Sequence, residues 1–97
     1  MNQHLVIIAL VRARPGVEQE LLAAQKALVE ETKKAPGCLR YELNVASDDS
    51  GRIAFTEQWA SPALWHQHMD SLYMQTFRET AGHLIAEFDL LQMQQVA

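Results

Sequence analysis

The spacing of apolar and polar residues in the first half of the chain predicts a strand, a helix and a hairpin. Residues 3–13 are β-branched and apolar on both faces, which is typical of a strand that is covered on both sides. Residues 17–34 repeat apolar side chains at helical spacing, and Pro36-Gly37 ends this helix. Residues 38–46 and 52–60 alternate between apolar and polar positions, and the turn residues between them indicate a hairpin.

The second half of the chain predicts two short helical segments and a final strand. Ser61-Pro62 starts a helix, because serine accepts free amide protons and proline fits the first helical position. A break near Asp70-Ser71 precedes a second helical segment, which runs to about Ala81, where Gly82 fits a C-terminal cap. Residues 84–94 match the helix and strand templates about equally, and we interpret them as a strand. The order β-α-β-β-α-β predicts an α+β, ferredoxin-like sandwich in which the first and third strands are central.

A sheet covered by helices on one side leaves its other side open. In the first strand, the apolar run Leu5–Val11 would then form an exposed patch larger than soluble monomers usually carry. We therefore expect a homodimer in which two sheets face each other.

The length of the chain limits it to a single domain, residues 1–97. Its composition argues against two classes of partner. The formal charge of −4, with only 8 Lys and Arg, does not favour a nucleic acid or an anionic membrane. The single cysteine, Cys38, cannot form an internal disulfide, which fits a reducing compartment. The run Leu5–Val11 is too short to cross a bilayer. It also lacks the positively charged segment that precedes the apolar run of a signal peptide. We expect a cytoplasmic protein.

Three groups of residues, taken with their order and spacing, resemble the antibiotic biosynthesis monooxygenase (ABM) family, which includes small quinol monooxygenases. They are Arg14-Pro15-Gly16, then Pro36-Gly37-Cys38 with Tyr41-Glu42-Leu43, and finally Glu57-Gln58-Trp59-Ala60-Ser61 followed by His68. The resemblance covers nearly the whole chain and implies a dimeric ferredoxin-like α+β barrel. It also implies a monooxygenase that oxidises a small electron-rich, quinol-like aromatic with O2, using no metal and no flavin.

The resemblance leaves other activities open, because the family is functionally mixed. One alternative is an isomerase of a small phosphorylated metabolite, for which Arg12, Arg14, Arg40 or Arg78 would have to face the cavity. Another is a non-catalytic module that binds aromatics or haem. Haem-degrading relatives carry an asparagine in the first strand and an iron-binding histidine in the later helix. This chain has Ile7-Ile8-Ala9 and Gln75–Arg78 there, which argues against haem chemistry.

An oxygenase of this kind needs a base, an aromatic wall and a group that stabilises an anion. His68 is the candidate base, although its ordinary pKa near 6.5 lies about 3–4 units below that of a quinol hydroxyl. Trp59 is the candidate wall, and Asn44 could polarise a carbonyl or an anionic oxygen. The plainer interpretation of Trp59 and His68 is that both are ordinary core residues.

Further aromatic and polar residues are candidates for substrate binding: Tyr41, His66, Tyr73 and Phe77. Tyr41 and Asn44 occupy opposite faces of their strand, so at most one of them can line a given cavity. Because His66 and His68 are two residues apart, they are badly placed to chelate a metal from one helix, and we predict no metal site. The resemblance implies that the enzyme also uses no cofactor. Glu57 shares the face of Trp59, and we expect a structural ion pair with Arg12 or Arg40.

Overall fold

The computed structural model describes residues 4–97 as a four-stranded antiparallel sheet with the helices on one side. The strands are β1 (Leu5–Ala13), β2 (Cys38–Ala46), β3 (Asp49–Trp59) and β4 (Ile85–Met93); the helices are α1 (Glu18–Thr32), α2 (Pro62–Met69) and α3 (Leu72–Ala81), and a 3-10 turn (Gly82–Leu84) leads from α3 into β4. The sheet order β2-β3-β1-β4 places β1 and β3 in the centre. This confirms the predicted ferredoxin-like α+β fold. No helix within residues 4–97 is long and apolar enough to cross a membrane.

The core lies between the helices and one face of the two central strands. Residues Ile7, Ala9 and Val11 of β1 are buried and pair with Glu57, Phe55 and Ile53 of β3, which are buried as well. Side chains on the same face of a strand recur every second residue. The helix layer therefore covers the odd-numbered positions of both strands, and this parity decides which side chains can enter a site beneath the helices.

The opposite face of the sheet is uncovered in the single chain. Its centre is formed by Val6, Ile8 and Leu10 of β1, and Leu10 keeps 44% of its surface exposed. Leu91 and Met93 of β4 pair with Ile8 and Val6 and extend this apolar surface to one edge. We call this surface the open face.

Most predicted boundaries agree with the structure to within one or two residues, and β3 differs most. It begins at Asp49 rather than at 52, because Asp49 already pairs with Ala46 and its Oδ1 accepts the Gly51 amide at 2.9 Å. Gly82 ends α3 as expected, but with a right-handed φ of −59°. Residue 3, the predicted start of the first strand, lies outside the described residues.

A serine cap begins each of α2 and α3, and the second cap, Ser71, lies at the predicted break near Asp70-Ser71. Ser61 Oγ accepts the Leu64 amide at 3.2 Å, and Ser71 Oγ accepts the Met74 amide at 3.3 Å. Such caps satisfy amides that have no partner inside the helix. Because only Asp70 and Ser71 separate the two helices, the end of α2 lies beside the start of α3.

Gly37 determines how closely α2 packs against the start of β2. Its φ of +82° suits glycine, and a Cβ built there would lie 2.5 Å from Leu64 Cδ1 and 2.7 Å from Leu64 Cβ. The Gly37 carbonyl also accepts the Ala60 amide at 2.8 Å, which ties this turn to the end of β3. A side chain at position 37 would therefore push α2 away from the sheet.

We expect Gly37→Ala to destabilise the protein more than Gly16→Ala. Gly16 has a similar φ of +91° but nothing within 4 Å of its built Cβ, so it isolates the backbone penalty of about 1–2 kcal/mol. The clash with Leu64 should add roughly another 1–3 kcal/mol at Gly37. Urea unfolding of the two variants tests this, and equal losses of free energy would contradict it.

Candidate functional site

Trp59, His68, Tyr73 and Tyr41 meet on the helix-facing side of the sheet, and together with Glu57 we call them the aromatic cluster. The rings of Trp59 and His68 lie 4.7 Å apart and are tilted by 32°. The Tyr41 ring lies 5.8 Å from His68, and Tyr73 Oη lies 2.5 Å from His68 Nδ1. The side chains of β2, β3, α2 and α3 thus build one contiguous group of rings.

Local sequence explains why the cluster forms. Trp59 is the last residue of β3, and Ser61-Pro62 then turns the chain into α2 within two residues. His68 is near the end of this short helix, so its ring returns over the end of β3, and only 4% of its surface stays exposed. The apolar body of Trp59 is completely buried beneath it.

His68 is uncharged at neutral pH. Burial, with a smaller contribution from the positive charge of Arg78, lowers the pKa of its imidazole from 6.5 to about 4. The close contact with Tyr73 Oη already engages Nδ1, which leaves Nε2 as the free ring nitrogen. His68 is therefore a hydrogen-bonding group in a dry setting and a weak base.

Glu57 is not paired as the sequence predicted. Arg12 and Arg40 both lie on the open face, where Arg40 donates to Glu42 at 2.8 Å, so the expected ion pair with Glu57 is wrong. Glu57 faces the helices and accepts a hydrogen bond from Trp59 Nε1 at 2.9 Å. Burial raises the pKa of its carboxyl to about 7, against the opposing effect of the Trp59 hydrogen bond.

Thr32, on the last turn of α1, is a buried polar residue on the helix side of the cluster. Its side chain is completely buried, and its hydroxyl donates to the Leu28 carbonyl at 2.8 Å. Burial raises the pKa of the Tyr41 and Tyr73 phenols, and nearby hydroxyl groups, that of Thr32 for Tyr41 and those of Ser71 and Thr32 for Tyr73, only partly offset this. Both phenols therefore stay protonated at neutral pH.

Gln25 is a second buried polar residue on the same face of α1. Within residues 4–97 neither its Nε2 nor its Oε1 has a hydrogen-bond partner, and its side chain is completely buried. Burying an unpaired amide costs free energy. Sequence reasoning missed Gln25 and Thr32, although both lie on the stripe of Leu21 and Leu28, which identifies the buried face of the helix.

A cavity of about 340 Å³ opens beside the cluster and reaches it at His68 and Tyr73. Since His68 contacts both the cavity and the Trp59 ring, it stands between the cavity and the tryptophan. The wall mixes apolar and polar groups, which suits a small ring compound with hydroxyl substituents. The remaining lining residues are Glu31, Lys34, Ala35, Pro36, Leu64, Gln67 and Ser71.

The structure does not bring every predicted site residue to the cluster. Asn44 lies on the open face and donates to the Ala54 carbonyl at 3.2 Å, so its assignment to one site with His68 and Trp59 is wrong within a single chain. His66 is exposed, with its ring 5.0 Å from Trp65. Phe77 instead lines a groove between α1 and α3.

The cations that an isomerase of a phosphorylated substrate would need are mostly engaged elsewhere. Arg12 and Arg40 lie on the open face, and Arg14 Nε donates to the His83 carbonyl at 2.8 Å. Arg78 donates to the Met69 carbonyl at 3.1 Å, and its charge acts on His68. Among residues 4–97, no group of three or more His, Cys, Asp and Glu side chains is arranged to hold a metal ion.

Comparison with known proteins identifies both the domain and its structural relatives. Residues 4–80 match the family model described as antibiotic biosynthesis monooxygenase, ABM. A crystal structure of PA3566 from Pseudomonas aeruginosa aligns with a TM-score of 0.93 and 28% identity, covering 100% of this chain and 98% of that one. A crystal structure of an antibiotic biosynthesis monooxygenase aligns with a TM-score of 0.89 and 26% identity, covering 96% and 99% of the two chains.

A curated relative is similar over most of this chain as well. It is the uncharacterized protein sll1783 of Synechocystis sp., which is 23% identical over 83 residues, or 86% of this chain. The chain spans only 56% of that relative's length.

The two shifted pKa values make opposite contributions to stability. Between pH 4.5 and 7, unfolding releases the proton of Glu57, so the stability that this group contributes falls as the pH rises. Between pH 4 and 6.5, unfolding adds a proton to His68, so its contribution rises with the pH. In the wild type the two slopes should largely cancel between about pH 4.5 and 6.5.

Single substitutions should therefore reveal each slope. Relative to the wild type, Glu57→Gln should become more stable as the pH rises from 4.5 to 6.5, and His68→Gln should become less stable, each by at most about 1.4 kcal/mol per pH unit. Urea unfolding at three pH values in this range measures both. Curves for the two variants that stay parallel to the wild type would contradict the assignment.

Proposed function

Because the chain belongs to the antibiotic biosynthesis monooxygenase family, we propose that it oxidises a small electron-rich aromatic, such as a quinol, with O2 and without a metal or organic cofactor. The observation that carries this proposal is the buried Trp59–His68 pair beside a cavity of about 340 Å³. The neutral imidazole of His68 and the phenol of Tyr73 line this cavity and offer a planar substrate hydrogen-bonding partners, and the buried indole of Trp59 packs behind the imidazole.

The chemistry needs little more than orientation and the exclusion of water. A base removes a proton from the quinol hydroxyl, and the electron-rich anion then reduces O2 to form a hydroperoxide on the ring. Loss of water from the hydroperoxide leaves a quinone carbonyl, so that one oxygen atom stays on the substrate and the other leaves as water. His68 and Tyr73 line the side that the cavity reaches, and Trp59 and Tyr41 pack behind the His68 ring.

Our proposal includes a cytoplasmic homodimer in which the open faces of two chains meet. The support is the apolar centre of this surface, because Val6, Ile8 and Leu10 lie on the face of the central strand β1 that the described helices do not cover. Arg40 and Glu42 lie on the edge strand β2 and give this surface a polar margin. An apolar centre with a polar margin is typical of a protein interface.

We expect the metal-stripped protein to consume O2 with at least one member of a panel of quinols. Trp59→Phe and His68→Ala should each lower kcat/KM on the order of 10-fold to 100-fold, because His68→Ala removes a group from the cavity wall and Trp59→Phe removes the indole that packs behind it. Trp65→Phe and His66→Ala are matched controls on α2: Trp65 is also buried, its Nε1 has no hydrogen-bond partner within residues 4–97, and His66 is exposed. An oxygen electrode measures the rates, and uptake no faster than the spontaneous oxidation of each quinol would remove the proposal for that panel.

We expect sedimentation to give a species of about 22 kDa, twice the chain mass of 11.0 kDa. Leu10→Glu should shift it to a single chain, since it places a charge at the centre of the open face. Leu72→Glu is the control, because Leu72 lies on α3 and is 76% exposed. A wild-type protein that sediments as one chain would contradict the dimer.

A further inference from the structure

We propose that Glu57 takes the proton from the hydroxyl of the bound quinol, and that His68 orients the substrate. This inference rests on the proposed function and assigns the one proton transfer that the reaction needs. The sequence had suggested His68 for this transfer, so the proposal moves the role of the base from His68 to Glu57.

The placement of Glu57 suits a proton acceptor. It lies on a central strand with 7% of its surface exposed, directly opposite Tyr41 on one side and Ile7 on the other. Within residues 4–97 it forms no ion pair. Trp59 Nε1 donates to Oε1 at 2.9 Å, and this hydrogen bond holds the carboxyl group beside the indole.

A carboxyl that is buried without a cationic partner is costly, which makes a purely structural role a poor explanation for Glu57. A structural carboxylate in a core is normally paired or receives several hydrogen bonds. Glu57 has one described donor, and that donor is itself a member of the aromatic cluster. The arrangement therefore favours a group that changes its protonation state during the reaction.

The neighbouring titratable groups are less suited to accept the proton. Burial and Glu57 itself raise the pKa of Tyr41 and of the Cys38 thiol, so both stay protonated. The pKa of Glu57 is raised to about 7, whereas that of His68 is lowered to about 4. Transfer to Glu57 is thus roughly 10³-fold more favourable at equilibrium than transfer to His68.

The charged and titratable groups that face the carboxyl come from several elements. Cys38 and Tyr41 lie on β2, His68 on α2 and Tyr73 on α3, with Lys33 at the end of α1 and Arg78 on α3 further away. On the β1 side the neighbour is the apolar Ile7. No group in this set neutralises Glu57 directly, so its charge is set mainly by its own burial.

The transfer is a simple acid–base step. The O–H bond of the quinol breaks, its electron pair stays on the substrate oxygen, and the proton forms a new O–H bond on the Glu57 carboxylate. Because His68 separates the cavity from Trp59, the imidazole must turn aside, which breaks its contact with Tyr73. Nothing is oxidised in this step, and O2 reacts only with the resulting anion.

The first test is the pH profile of kcat/KM for hydroquinone oxidation. In the wild type kcat/KM should rise with the pH around a midpoint near 7, as Glu57 loses its proton. In Glu57→Gln this rise should disappear and kcat/KM should fall by about 100-fold, while the amide oxygen can still accept from Trp59. Glu42→Gln, on the open face of the neighbouring strand, is the matched control and should keep the wild-type profile.

Two further variants separate the roles within the cluster. Trp59→Phe removes the hydrogen bond that lowers the pKa of Glu57, so the midpoint should move to higher pH, which loss of packing alone would not cause. His68→Gln should lower kcat/KM but keep the rise near pH 7. A rise that persists in Glu57→Gln and vanishes in His68→Gln would overturn the proposal.

A measurement without O2 separates this proposal from the proposed function. Under anaerobic conditions at pH 8, a halogenated hydroquinone whose hydroxyl pKa lies near that of Glu57 should, when added to the wild type, produce the infrared band of a protonated carboxyl group, and this band should be absent in Glu57→Gln. Oxygen uptake without this band would overturn the role of Glu57 alone. The band without any oxygen uptake would support the proton transfer and remove the monooxygenase activity, and a wild type that binds no hydroquinone would overturn both for this ligand.

Discussion

The packing of α2 back onto the end of β3 is the constraint on which the candidate site depends. Three local features produce it: the Ser61 cap with Pro62, the absent side chain at Gly37, and the hydrogen bond from the Ala60 amide to the Gly37 carbonyl. Together they bring the His68 ring to 4.7 Å from Trp59. A shift of α2 by the width of one methyl group would separate the two rings. The chemistry of the site therefore depends on the geometry of this turn.

The same packing decides the charge of the site. Because α2 and the last turn of α1 exclude water, burial raises the pKa of Glu57 and lowers that of His68, so both groups favour their uncharged forms. The phenols of Tyr41 and Tyr73 stay protonated for the same reason. In such a dry cluster, the charge that a substrate gains when it is deprotonated interacts more strongly with its neighbours than it would in water. The pKa shifts of these groups follow mainly from burial, and among residues 4–97 no cation forms an ion pair with Glu57.

The sequence predicted the order of the elements and selected Trp59 and His68 as members of one site, because both inferences depend on local signals. Alternation along β2 correctly placed Tyr41 and Asn44 on opposite faces, although it could not say which of them lies beneath the helices. The pairing of Glu57 with Arg12 failed for a physical reason. Since β1 is apolar on both faces, its pattern does not show which face turns toward the helices, and Arg12 lies on the other one.

The shifted pKa values and the surroundings of the buried polar residues Gln25 and Thr32 of α1 could not be predicted from the sequence, for a different reason. Both depend on how completely several elements exclude water together, and no single element carries that information. Helical spacing from Leu21 and Leu28 marks Gln25 and Thr32 as buried, but only the assembled structure shows that Thr32 meets two phenols and that the Gln25 amide meets no partner among the described residues.

A domain of this size has little apolar area with which to offset such costs. A chain of about 100 residues buries roughly two thirds of its unfolded surface, and each unpaired polar group in the core works against the stability that results. An apolar residue at position 25 or 57 would fill the same space without that cost. Local conflicts between a residue and its surroundings concentrate at functional sites. Two of the buried polar groups of this core, Glu57 and His68, lie at the candidate site, and the apolar residues of the strands around them supply stability that offsets their cost.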